Sequence, residues 1–213
     1  RYLFIGPHPD DIEIGAGATA AKLSSAGKSV AFLCCIDGRY GSNAVPPDEL
    51  IPLRQAEAKA SAAALGVADV RFLPFCDELT ELKSAIAKVV GEFKPDVIFC
   101  PDPQVKSECH HDHLNVGRAA SEIAYFAPYE GIMQRHGAAS APVKAIAYYM
   151  TASPNRYVRT SKELLERQLS SIFDCHKSQF PDGSAEGKAI AMYLRIRSLD
   201  FGLRSFSLHA EGF

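Results

Sequence analysis

Short apolar runs alternate with longer stretches of helical character along this chain. Tyr2-Leu3-Phe4-Ile5 opens it, and Val30–Ile36, Val70–Leu73, Asp96–Cys100 and Lys144–Tyr149 follow. Val30–Ile36 is continuous and β-prone, the pattern of a strand buried on both faces. Between the runs the spacing predicts helices. One covers Ile14–Ala26, stopped by Gly27. Another covers Glu49–Leu65, capped by Asp48 and ended by Gly66. Further helices are predicted at Leu79–Phe93 and His113–Phe126. Ser161 caps one from Lys162 to about Cys175, with Glu163 and Glu166 favourable near its start, and a last one covers Ala185–Leu199. The stretch 127–143, with Pro128, Gly131, Gly137 and Pro142, reads as an irregular loop.

This alternation predicts an α/β fold, a parallel sheet with helices on both faces. Right-handed crossovers and a Rossmann-like order 3-2-1-4-5 make the first and fourth strands neighbours at the switch point, where such sheets bind ligands beyond the carboxyl ends of their strands. The loop after strand one is Gly6-Pro7-His8-Pro9-Asp10-Asp11, and the loop after strand four ends in His110-His111-Asp112-His113. Topology therefore brings together two polar clusters about 100 residues apart. The two prolines stiffen the first loop around His8.

The 213 residues suit one domain spanning 1–213, with no linker or repeat in view. A net charge of −2 gives no general field for nucleic acid or an anionic membrane. No apolar run reaches the length of a membrane span. The six cysteines lack CxxC or disulfide-scaffold spacing, and Cys34, Cys35 and Cys100 sit within apolar runs. A reducing cytoplasm is the simpler inference, although a removed leader would change it. The sequence carries no signal for or against a homo-oligomer.

Catalytic zinc takes three protein ligands and leaves a position open. His8, Asp11 and His113 supply such a set, and the His8 and His113 rings are then expected within about 6 Å of each other. Asp10 is left free as general base. His110 would face the reaction from the other side, as donor to an oxyanion and then to a leaving nitrogen. Asp112 can orient a histidine by accepting its second N–H. Together these parts describe hydrolysis of an amide. Iron(II) suits the same donors. His111 reads as a surface residue, and His136, His176 and His209 have no clear partners in the sequence.

At these residues the chain resembles the PIG-L/LmbE-like zinc-dependent N-acetylglucosaminyl deacetylases. Pro7-His8-Pro9-Asp10-Asp11 is similar to that family's (A/P)HPDD signature, and Gly15-Ala16-Gly17 to its continuation. Asp37-Gly38 resembles its DG turn, and Arg54 with Glu57 its RxxE element before Leu65-Gly66-Val67. His110 to His113 resembles its HPDH element, and Ser178-Gln179-Phe180 a late SQ element. The resemblance implies zinc on His8, Asp11 and His113, Asp10 as base and His110 as acid or oxyanion donor. It implies substrate contacts from Arg54 and Asp37, and an N-acetyl sugar conjugate as substrate, its acetyl group lost as acetate. The residues alone leave Arg54 a second reading, a helix-surface ion pair with Glu57 at i,i+3. Sugar-binding groups are expected from the 37–48 and 127–143 loops. Two departures stand out: His111 replaces a proline, which loosens the second loop, and Arg39 follows Asp37-Gly38 where an acidic residue is common.

Two other readings compete. Gly15-Ala16-Gly17-Ala18-Thr19-Ala20 matches GxGxxA, with Asp37 placed for a ribose. The glycines do not follow the strand directly, however, and Asp10 and Asp11 would repel a pyrophosphate. Close helix-to-sheet packing explains the small residues better. The other reading is a non-catalytic zinc- or sugar-binding module, against which the full set of base, acid and ligands argues.

Overall fold

A computed structural model describes residues 1–75 and 81–213. Five strands, β1 (Tyr2–Gly6), β2 (Val30–Ile36), β3 (Asp69–Phe75), β4 (Val97–Pro101) and β5 (Ala145–Tyr149), form a parallel sheet ordered β3-β2-β1-β4-β5. This is the order expected from the alternation. Helices α1 (Asp11–Ser25), α2 (Pro47–Ala64), α3 (Leu82–Phe93) and α4 (His111–Phe126) connect the strands, and α6 (Lys162–Phe173) packs against α1 and α2. Successive strand residues feed opposite cores. Leu3, Ile5, Leu33 and Ile98 pack with Ile86, Val90, Val116 and Ile123 of α3 and α4. Phe4, Phe32, Phe99 and Tyr149 pack with Ile12, Ala20 and Leu65 on the other side. Phe4 and Phe99 stack at 4.3 Å between centroids, which locks β1 to β4 below the two polar loops.

Several boundaries differ from expectation. α1 starts at Asp11 rather than Ile14, so Asp11 occupies its first turn. α2 starts at Pro47, whose fixed φ suits a first turn, and Asp48 lies inside that turn instead of capping it. The expected start of α3 at Leu79 lies outside the described residues, as does Cys76. The stretch 127–143 contains a helix, α5 (Glu130–Arg135), formed because Met133 buries itself in the α3/α4 core. A last helix, α7 (Ala185–Arg204), runs beyond Leu199. An antiparallel pair, β6 (Tyr157–Thr160) with β7 (His209–Gly212), had no counterpart in the sequence pattern. Ser161 caps α6 as expected, accepting from Leu164 N–H.

α1 is broken at Ala16, with φ −150° and ψ 20°. The break frees backbone groups that must find partners. Gln168 donates to the Glu13 carbonyl, Arg197 donates to the Ile14 carbonyl, and Glu211 accepts from Ala18 and Thr19 N–H. The flanking glycines serve close approach: a Cβ on Gly15 would lie 2.2 Å from the Tyr149 ring, and one on Gly17 2.9 Å from Gln168. These small residues meet protein atoms, as packing requires, which removes the ground for a phosphate cradle.

Candidate active site

The β1 and β4 loops meet as topology requires. Asp11 sits between two histidines: its Oδ2 lies 3.1 Å from His8 Nδ1, and its Oδ1 lies 3.4 Å from His113 Nε2. The His8 and His113 rings are 5.7 Å apart. Two ligands at about 2.0–2.1 Å from a tetrahedral ion stand about 3.4 Å apart, so the Asp11–His113 spacing matches one edge of such a site. The donor chemistry, two imidazoles and a carboxylate, also fits zinc or iron(II). His110 is close as well: ligand atoms of His8, His110 and His113 all lie within 4.8 Å of one another. Its side chain is half exposed, whereas those of His8 and His113 are largely buried.

Asp112 reaches a histidine, as expected, and it is His8, with Oδ2 3.0 Å from Nε2. Sequence reasoning missed Glu108. One of its oxygens lies 3.1 Å from His113 Nδ1, and the other accepts from His110 N–H at 2.8 Å. It thus turns Nε2 of His113 towards Asp11 and pins the second loop. His111 is exposed at the first position of α4, where proline would be welcome. With Glu108 holding the loop, that substitution leaves the helix start in place.

Arg54 corrects one expectation. It is 3% exposed and forms no ion pair with Glu57, which instead accepts from Ser178 N–H and Oγ–H. Arg54 Nη2 donates to the Pro9 carbonyl at 2.7 Å and to Asp10 at 3.1 Å, and Nη1 donates to the Gly38 carbonyl. Gly38, at φ +69°, makes room: a Cβ there would lie 2.3 Å from Arg54 Nη1. The guanidinium therefore holds Asp10 while still lining a cavity of about 310 Å³. Asp37 lines the same cavity, with its carboxylate engaged by the Arg39 side chain that follows it. His8, His110, Tyr40 and Gln179 also line it. The 37–48 loop supplies walls of this cavity; the 127–143 stretch supplies none, because α5 is committed to the core.

A sequence profile of the PIG-L family, described as GlcNAc-PI de-N-acetylase, matches residues 3–124. The chain belongs to this family. It is 34% identical to the diacetylchitobiose deacetylase of Thermococcus kodakarensis, over all of this chain and 81% of that protein. Identity to the 1D-myo-inositol 2-acetamido-2-deoxy-alpha-D-glucopyranoside deacetylase of Kineococcus radiotolerans is 29%, over 75% of this chain and 54% of the relative. The N,N'-diacetylchitobiose deacetylase from Pyrococcus horikoshii, solved with an inhibitor, superposes with a TM-score of 0.88. It is 32% identical, over 100% of this chain and 82% of its own. These relatives are deacetylases by name. Among the described residues no helix is long and apolar enough to cross a membrane.

In this PIG-L family chain, burial and charge separate the two adjacent carboxylates. Burial and then the neighbouring Asp11 push Asp10 up to about 7, against the opposing pull of Arg54. Burial would raise Asp11 too, but the hydrogen bond and charge of His8 hold it down at about 2. Burial would lower His8, but hydrogen bonds to Asp11 and Asp112 win and hold it up at about 10. His110 is lowered by burial and by the charges of His8 and His113. Asp10 also has an unusual backbone, φ 121° and ψ −29°, a region that L side chains rarely adopt. Behind it lies a pair the sequence hid: His176, wholly buried, has Nε2 3.4 Å from Glu13 Oε1. The other two histidines left without partners also have them, His136 in Ser84 and His209 in Ser198.

Proposed function

We propose that this chain is a metal-dependent N-deacetylase that cleaves the acetamide of an N-acetylglucosaminyl-type substrate, giving acetate and a free amine. Zinc, or iron(II) in its place, would be held by His8, Asp11 and His113. The single observation that carries the reading is the Asp11 carboxylate set between two histidines contributed by loops 100 residues apart in sequence. When bound, the ion supplies a Lewis acid for the amide carbonyl and lowers the pKa of water beside it.

The residues divide the remaining work. Asp10, its pKa raised by burial and separated electrostatically from Asp11, accepts the proton of the attacking water. Arg54 fixes the Asp10 carboxylate from behind. His110, on the open side of the cluster, donates a hydrogen bond to the developing oxyanion, and the proton taken up by Asp10 passes to the departing nitrogen. Asp112 and Glu108 orient His8 and His113. Asp37 and Arg54 form the floor against which the sugar sits. All 213 residues act as one domain in this reading, since Glu211 reaches back to α1. Free buried cysteines at 34, 35 and 100 accord with a reducing cytoplasm.

Metal analysis of untagged protein should find one divalent ion, and acetate release from N-acetylglucosaminides should stop with chelator and return with zinc. Asp10→Asn should keep the ion and lose turnover by about 10³-fold. A variant hydrolysing at the native rate would remove Asp10 from the base role.

A further inference from the structure

We propose that Tyr40 is the platform for a second ring of the substrate, the pyranose or cyclitol joined to the N-acetylglucosaminyl unit. The inference rests on the deacetylase reading and extends it outward from the histidine cluster. The cavity, about 310 Å³, is at the small end of ligand pockets. It has room for one sugar ring with its acetamide, so the remainder of a conjugate must lie at the mouth.

Tyr40 lines that cavity and is 67% exposed. Apart from histidines it is the one aromatic residue among the described cavity walls. Its backbone is tied down. Gly41 N–H donates to the Gly38 carbonyl at 3.0 Å, closing a turn with Arg39 and Tyr40 at its centre. Arg54 donates to the same Gly38 carbonyl, and Gln179 donates to the Gly41 carbonyl. Both ends of the turn are thus fastened to buried or distant elements, and its apex is spent on an exposed aromatic. The neighbouring Asp37 carboxylate is engaged by Arg39, which moderates the local charge. A pyranose or cyclitol shows a face of C–H bonds, electropositive and apolar. That face complements the electronegative, apolar face of an aromatic ring. A short linear acid in place of the second ring has no such face.

The test compares N-acetylglucosamine with its β-1,4 disaccharide, diacetylchitobiose, on metal-loaded protein. Tyr40→Ala should raise KM for the disaccharide about tenfold more than it raises KM for the monosaccharide. Tyr40→Phe and Tyr40→Trp should keep the wild-type preference. Equal losses on both substrates, or none on either, overturn the platform. Wild-type protein releasing acetate from neither substrate would sink the deacetylase reading instead. Calorimetric binding of the disaccharide to Asp10→Asn protein, with and without Tyr40→Ala, decides the platform in that case. A weaker disaccharide Kd with Tyr40→Ala supports it, and an unchanged Kd overturns it.

Discussion

Gly38 and Arg54 show how single residues set the chemistry. A methyl group at 38 would need a positive φ of 69° and would press on Arg54 Nη1. Gly38→Ala should therefore lower stability by about 1–3 kcal/mol, and it should cut kcat about 10²-fold by moving the group that holds Asp10. Urea midpoints and saturating kinetics measure the two effects. Loss of stability with full activity would show that Arg54 does not set the base. Glu108 acts one layer out. Glu108→Ala frees His113 to rotate and should weaken metal binding about 10–100-fold, read by competition with a chromogenic chelator. Little in the sequence pointed to Glu108, because a lone carboxylate near a histidine cluster follows no spacing rule. Arg54 misled for a related reason. Its i,i+3 spacing to Glu57 offered a local pair, while the actual partners, Asp10 for Arg54 and Ser178 for Glu57, come from distant parts of the chain.

Among elements, helix α1 carries Asp11 in its first turn and depends on the rest of the chain to hold its break at Ala16. Glu211→Ala would leave the Ala18 and Thr19 amides buried without an acceptor, a loss of about 3 kcal/mol. Faster hydrogen exchange at those amides, with a lower denaturation midpoint, is the expected signature. The central strands β1, β2 and β4 were legible because parallel strands covered on both faces must be continuously apolar. Right-handed crossovers in that strand order suffice to put His8 and His113 together. The break in α1 was not legible, since the groups that satisfy it sit at 168, 197 and 211. β6 and β7 escaped for the same reason: four mixed residues each, paired only because the fold brings 157–160 beside 209–212. α5 hid in a stretch rich in glycine and proline, its formation decided by the single anchor Met133.

At the scale of the whole molecule, stability should depend on pH through His176. Burial alone would lower its pKa, but Glu13 and the nearby carboxylates of Asp10 and Glu57 raise it. Its stabilising contribution is therefore complete below the unfolded value of about 6.5 and is lost as pH climbs through the raised folded value. Wild type should exceed Glu13→Gln by about 2 kcal/mol near pH 6, with the gap narrowing steadily towards pH 9 in urea titrations. A gap constant across that range would mean that the pair is not ionised. The backbone at Asp10 carries a different lesson. A φ of 121° is a shape glycine adopts freely and aspartate holds at roughly 1–3 kcal/mol. Asp10→Gly should consequently outlast Asp10→Ala on heating, though neither would turn over substrate. Directed evolution for heat tolerance alone would be drawn towards a sturdier, inert protein at this position, so libraries of this chain need an activity gate at every round.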